Sequence, residues 1–559
     1  MRKTIKKALL LMLSLVLVVG LFACNGNDKP PKPDPNGGNN GDNDNGGSDE
    51  LVIPGLGGTY RYFLHNDGHN FNQTARVFKD AQDYAKIQTV QEVLQKSDTN
   101  YRTKFNLSLK DGLDFATFDQ DTIESNGMNG TFIDLTELID KYAPNIKAFF
   151  EANPQQKEWA TAADGKIYGI PFYTAGETAK AFFVRKDYVD ILRANNKMPA
   201  GFPTDLNKMT VVQFEELLIA LKENASLITG GKTTSANFYP YFDRDTRYGI
   251  AELVSLWGAH GGFYKDDEGN VKYGPAEPEY KVAMENLARW AEKGLIGDNL
   301  FVEDNRDLRQ VAFQQQIGAV THDWIGSTYD FNSDFIKSSY QQPNLEIVGI
   351  HPPTRADGSK FEPTKRKEIG QVTAIHKNVD NDGRIRIIRW MDYFFTAAGN
   401  DGLNFGIENV TFNKIGGKYS FTNRIMNEEN TPLENLYSYG AQMNQPGVQN
   451  FVYEQTWLSV EAYVLMEDYQ DPDTGFIDQS YNDLIYPNIK LSKEEYNSAN
   501  PIVDNLERKL ADTHTQWIRN KSASAGISDA DWQLFVNELK QLNYEQLITL
   551  YQGHVNKKK

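Results

Sequence analysis

The chain has 559 residues, of which 40% are apolar and 24% charged, with a single cysteine and a formal net charge of −17. A mean hydropathy of −0.56 excludes a multi-span membrane protein, and one cysteine excludes an internal disulfide. An acidic chain of pI about 5.1 lacks the basic footprint of a nucleic-acid binder, and its length suffices for roughly two to four domains or two large lobes.

At the N-terminus, Arg2, Lys3, Lys6 and Lys7 precede an apolar run from Ala8 to Val19, the layout of a secretory signal. The run ends in Leu21-Phe22-Ala23-Cys24, which resembles the lipobox of bacterial lipoproteins. That resemblance implies a signal over 1–23 and a diacylglycerol thioether on Cys24. Two acyl chains hold a protein to a bilayer stably, so the expected location is the outer face of the bacterial cytoplasmic membrane. Residues 24–58 read as a spacer. Pro30, Pro31, Pro33 and Pro35 stiffen its start, and the Gly/Asn/Asp-rich run Asn36–Gly47 has nothing apolar to bury. Such a leash spans about 30 Å root-mean-square.

The folded part begins with a strand at Thr59–Leu64, followed by a polar loop holding His65, Asp67 and His69. Beyond it helices and short apolar runs alternate, which predicts an α/β class. Phe115–Glu124 is an unusually polar stretch for a strand. Asp134 with Glu137 reads as a capping box, and the following helix stops at Pro144. Strand-like pieces follow at Asp164–Pro171 and Ala181–Val184. Thr210 with Gln213 is a second capping box, ahead of a stripe of Phe214, Leu217, Leu218 and Leu221. Later come a helix from Tyr280 to Lys293-Gly294 and strands at Leu345–Ile350 and Gly370–Ile375. A further helix from Arg384 is expected to end near Gly399, and a last one starts at Ser528. Trp290, Trp390, Trp517 and Trp532 fall in the helical stripes and read as core.

Several blocks then resemble a known family. They include Asp164-Gly165-Lys166-Ile167-Tyr168-Gly169-Ile170-Pro171, Val184-Arg185-Lys186-Asp187-Tyr188 and Gly294-Leu295-Ile296. Asn404-Phe405-Gly406-Ile407-Glu408 and the closing Asp531-Trp532 to Tyr551-Gln552-Gly553 continue the series. Their order across Lys104–Gln552 is similar to the extracellular solute-binding proteins of family 1, in the large lipoprotein branch serving oligosaccharide ABC importers. The resemblance implies a periplasmic-binding-protein-like fold, two α/β lobes joined by a hinge with a ligand cleft between them. One lobe is expected over about 59–179 and 375–439, the other over about 180–374 and 440–559. It further implies a carbohydrate ligand, a membrane permease as partner, a monomer, no catalysis and no nucleic acid.

A sugar presents C–H faces and a ring of hydroxyls, so its site needs flat aromatics and hydrogen-bonding side chains. Trp324, after Ile317-Gly318-Ala319-Val320, resembles the family's strand-end tryptophan at the cleft. Trp257 beside Gly258, Tyr173 after Pro171, and Trp457 near Glu454 are further stacking candidates. Asp323, His65 and Asp67 are the expected hydrogen-bond partners. No HExxH, CxxC or GxSxG occurs, so no metal or nucleophilic centre is assigned. Asp471-Pro472-Asp473-Thr474-Gly475 begins like a calcium loop and leaves a structural calcium open. Among 75 acids, paired carboxylates keep a glycan-cleaving enzyme as the competing class. A glycan-docking lipoprotein that transports nothing is the third.

Overall fold

A computed structural model describes residues 58–64, 75–93, 101–174, 179–243, 249–301, 308–363, 369–426, 432–471, 475–477 and 489–557. All of them lie within the unit Ile53–Lys559. The signal, Cys24, the spacer, the loop carrying His65 and Asp67, and Pro472–Thr474 of the calcium-like loop lie outside the described residues.

The strands, in chain order, are β1 (Thr59–Leu64), β2 (Gln88–Val93), β3 (Phe115–Phe118), β4 (Ile170–Tyr173), β5 (Lys180–Arg185), β6 (Tyr241–Asp243) and β7 (Phe263–Lys265). They continue with β8 (Val271–Tyr273), β9 (Val320–Trp324), β10 (Ile347–Ile350), β11 (Ile369–Ile375), β12 (Phe412–Ile415), β13 (Lys418–Phe421) and β14 (Gly447–Val448). Two sheets organise the molecule. One is six-stranded, in the order β14-β4-β11-β3-β1-β2, and the other four-stranded, in the order β10-β5-β9-β6. In the first, β1 runs parallel to β2 and β3, while β11 is antiparallel to β3 and β4. In the second, β5 is antiparallel to β10 and β9, and β6 is parallel to β9.

Each sheet carries its own core, which gives the two-lobed α/β architecture. In the first lobe Tyr62 stacks on Phe115 with ring centroids 4.3 Å apart, and Trp390 closes on both edge-on. A chain of hydroxyls crosses this sheet, Tyr62 to Thr117 at 2.5 Å and Thr117 to Thr373 at 2.6 Å, so these three buried hydroxyls satisfy one another. In the second lobe β5 is buried along its whole length. Phe182 and Val184 enter the core around Trp290, while Ala181 and Phe183 enter a second cluster with Ile347, Leu465 and Tyr469. Coverage of both faces explains why β5 reads as a continuous apolar run rather than an alternating one.

The chain passes from the first sheet to the second between Tyr173 and Lys180, and returns between Ile350 and Ile369. It leaves again after Val448, and the helix Val460–Gln470 packs into the second lobe. The second and third passages therefore differ from the expected 374 and 439. All of β11 belongs to the first sheet, and so does β14, beyond Tyr439. Two strands that pair only with distant partners leave no local mark of which sheet they join.

Thr210 and Gln213 form the expected capping box, and Ser528 caps the helix Asp529–Gln541. Elsewhere local reading misplaces ends. Asp134 accepts from the Thr136 amide and hydroxyl in a turn, and the helix Thr136–Tyr142 has no side-chain cap. The helix from Asn381 stops at Tyr393, because Thr396 caps a new one, Ala397–Phe405. A further helix, Tyr544–Lys557, follows the one at Ser528. Phe115–Glu124 is a four-residue strand followed by the helix Gln120–Met128, started by Asp119 accepting from the Thr122 amide at 3.0 Å. That cap ends the strand and turns the polar stretch into a helix at the edge of the first lobe.

Candidate ligand-binding site

Trp324 ends β9 and precedes the short helix Ile325–Tyr329, so the strand delivers its half-buried indole to the end of the second sheet. Directly across the ladder stands Lys180, the first residue of β5, with its ammonium 5.7 Å from the Trp324 ring centroid. The Lys180 Nζ donates to both oxygens of Glu252, at 2.6 and 2.8 Å. Glu252 also faces His322 Nδ1 at 2.9 Å, and His322 Nε2 faces Glu362 at 2.9 Å. An imidazole between two carboxylates donates from both nitrogens only as the imidazolium. Burial pulls the His322 pKa down, yet Glu362 and Glu252 together push it up to about 10. For Lys180 burial likewise works against the charge, and Glu252 with Asp243 outweighs it, leaving the pKa raised. Burial alone would raise Glu252, but Lys180 and His322 hold it below the ordinary range. Asp243, sunk beside them, is pushed up by burial.

Asp243, Glu252 and His322 offer ligand atoms within 4.8 Å of one another, a spacing that suits a divalent ion. Their contacts argue for a different use. Both His322 nitrogens face carboxylates, and the cation held by Glu252 is the Lys180 ammonium. The cluster is a largely buried, internally paired set of charges beneath Trp324. It joins Lys180, just after the first passage between sheets, to Glu362, within the returning passage. Sequence reasoning missed it. The one available signal was the lysine opening the apolar run Ala181–Val184.

The residues expected at the site separate in the structure. Asp323 is 0% exposed and is held by Arg309 at 2.6 Å, with its other oxygen accepting from the Trp324 amide at 2.7 Å. It anchors the end of β9 and does not face an opening. Trp457 is 8% exposed, and a Cβ on Gly326 would stand 3.1 Å from its indole edge. It therefore packs against the helix that Trp324 begins, and its Nε1 is buried without a hydrogen-bond partner. Trp257 is half-buried and edge-on to Trp290 at 5.2 Å, beside Gly258 at φ +80°. It follows on from the helix that carries Glu252. Tyr173 is buried in the first lobe against Phe149 at 5.3 Å, and its hydroxyl donates to the Gln156 carbonyl at 2.8 Å. This tyrosine is core. Trp290, Trp390, Trp517 and Trp532 are buried as expected.

A second junction lies where the helix Gln120–Met128 of the first lobe meets the C-terminal helices. There a cavity of about 230 Å³ has Asp121 and Glu124 on one side and Tyr496, Asn500 and Tyr551 on the other. Burial, reinforced by Asp121, pushes both tyrosine pKa values up to about 12, so both remain hydrogen-bond donors. Among the described residues, none that lines the cavity is basic. The nearby Lys490 ammonium donates to the Glu158 and Thr161 carbonyls, and Arg102 pairs with Asp119 at 3.5 Å.

No protein-family profile matches the chain. The fructooligosaccharide ABC transporter substrate-binding protein FusA of Streptococcus pneumoniae serotype 4 is 22% identical over 496 residues, which cover 82% of this chain and 83% of that one. Among solved structures, the alginate-binding protein AlgQ2 without calcium ion superposes with a TM-score of 0.74 at 25% identity, covering 89% of this chain and 98% of the other. FusA in complex with kestose gives 0.69 at 16% identity, over 89% and 99%. A solute-binding protein from Bifidobacterium longum infantis gives 0.64 at 16%, over 89% and 98%. The resemblance to ABC-importer solute-binding proteins seen in the sequence blocks thus extends over nearly the whole described chain, together with their two-lobed fold.

Proposed function

We propose that this protein is a receptor that captures an oligosaccharide between its lobes and delivers it, chemically unchanged, to an ABC permease. The observation that supports this most is the match to oligosaccharide-binding receptors, in sequence over 82% of the chain and in fold over 89%, which spans both lobes rather than one. Trp324 fits the role of stacking platform. It is half-exposed at a sheet end, and its ring lies over an ion-paired lysine whose own hydrogen bonds are directed to Glu252. Contacts to both lobes favour the closed arrangement, since only differential affinity shifts an open–closed equilibrium. Cys24 would carry the lipid anchor, and 25–58 the leash. A structural calcium, as the name of the AlgQ2 structure suggests for that protein, would bind outside the Lys180 cluster.

A thermal-shift panel of fructo-oligosaccharides, milk oligosaccharides, mannose-rich glycans and alginate oligosaccharides tests the reading. One class should raise the melting temperature, lower the radius of gyration and be recovered intact. Released product would instead identify a glycan-cleaving enzyme, and binding of insoluble glycan without compaction a docking lipoprotein. Trp324→Ala should weaken the responding ligand by about tenfold or more while the unliganded protein melts nearly unchanged. Cys24→Ser should release the protein from the cell surface.

A further inference from the structure

Trp324 stands at the end of a chain of ion pairs that starts in the passage returning to the first lobe. Side chains alternate along a strand, so His322 and Trp324 project from one face of β9 and Asp323 from the other. On the first face the ladder sets Lys180 opposite Trp324 and Phe182 opposite His322, with the Phe182 and His322 rings 4.7 Å apart. Glu362 reaches this face from outside the sheet. Its amide donates to the Phe476 carbonyl at 2.7 Å, its backbone bridges Ile477, and its carboxylate faces His322 Nε2 at 2.9 Å. Glu362 precedes β11, the strand by which the chain rejoins the first sheet. We infer that Glu362 is a positioning residue for the Trp324 platform, and that through His322, Glu252 and Lys180 it ties the orientation of that indole to the returning passage. The inference rests on the receptor function proposed above and adds a route by which stacking at Trp324 and movement of the passage influence each other, since coupling between two places is reciprocal.

Three observations carry it. The links are continuous, from Glu362 to His322, from His322 to Glu252, and from Glu252 to the Lys180 ammonium, which lies 5.7 Å from the Trp324 ring centroid. Two of the links share one atom. Glu252 Oε2 accepts from Lys180 at 2.8 Å and faces His322 Nδ1 at 2.9 Å, so a carboxylate that turns to follow His322 carries the ammonium with it. Burial keeps the links strong. The four side chains are at most 12% exposed, so solvent screens their charges little. Asp243, opposite His322 in the ladder of β6 and β9, brings a further carboxylate to the same group. Asp323, on the far face, is bonded to Arg309 and to the Trp324 amide, so it fixes the backbone under the indole while the ion pairs address the ring.

The experiment labels the full chain with fluorotryptophan and follows its eight indole signals by fluorine NMR, with Trp324→Phe identifying that of Trp324. In the unliganded protein Glu362→Gln and His322→Gln should each shift the Trp324 signal and leave that of Trp390, in the first lobe, in place. Kestose, mannotriose and an alginate trisaccharide are then titrated. The tightest binder of the three should lose about fivefold or more in affinity in Glu362→Gln. In the Trp324→Ala background the same substitution should add no further loss, because the route ends at the missing ring. If Glu362→Gln does not fold, Lys180→Met with Glu252→Gln, which removes the ammonium and its partner's charge together, gives both readings. A Trp324 signal unmoved in these variants would overturn the inference. So would an affinity loss of equal size with and without the Trp324 ring, which marks a purely structural role; both outcomes leave the receptor function standing. Failure of all three sugars to bind, with the fluorine shifts as expected, would instead overturn the receptor function and keep the link between Glu362 and Trp324.

Discussion

The two lobes solve the same problem with different chemistry. Each must bury polar groups along the middle of a sheet that is covered by helices. The first lobe does so with neutral hydroxyls, Tyr62, Thr117 and Thr373 in a row. The second uses ions, Lys180, Glu252, His322 and Glu362. Neutral networks leave stability independent of pH near neutrality, whereas a buried ion set ties it to protonation and makes each member costly to remove alone. The ionic row of the second sheet thus carries a pH dependence that the hydroxyl row of the first lacks, and it lies near the first two of the three chain passages that join the lobes.

The largest expected effect follows from breaking the ionic set. Glu252→Ala leaves Lys180 and His322 facing a lost partner, and denaturant unfolding should show a loss of about 3–5 kcal/mol. Thr117→Val, at the centre of the hydroxyl row, should cost about 1–3 kcal/mol. If the two losses were equal, the distinction between the lobes would be one of composition only.

Next in size is the pH dependence. The folded pKa of His322 is raised above its ordinary 6.5, so its contribution is complete below about 6.5 and is lost as pH climbs through about 10. Asp243, raised by burial, acts in the same direction at lower pH. Melting temperature measured from pH 6 to 10 should therefore fall on the alkaline side, and His322→Gln should flatten that slope. Thr117→Val should keep the slope of the unmodified protein. The smallest effect is expected of Tyr173→Phe, which removes one hydrogen bond to the Gln156 carbonyl. It should cost about 0.5–1.5 kcal/mol with ligand affinity unchanged, as befits a core residue of the first lobe.

The contrast between Trp324 and Tyr173 shows how far local reading reaches. Both follow an apolar run and both are aromatic, so the chain alone treats them alike. β9 ends at Trp324, half-buried where the strand runs out, while β4 carries Tyr173 inside, against Phe149. Asp323 differs from its expected role for the same reason. The neighbour that fixes it, Arg309, reaches it only after a helix and β9 are packed together.

What the sequence by itself determined is whatever depends on a few adjacent residues. The Thr210/Gln213 box starts its helix, Ala181–Val184 forms a strand buried on both faces, and the helical tryptophans fill the cores. The ordered blocks add the family resemblance and the class of fold. Only the tertiary structure decided which sheet each strand joins, where the chain passes between lobes, and which charges meet in the interior. Lys180 lies 72 residues from Glu252, and His322 lies 40 from Glu362. Periodicity repeats over a few residues, whereas a buried charge is placed by strand register and by whatever partner keeps it ionised away from water.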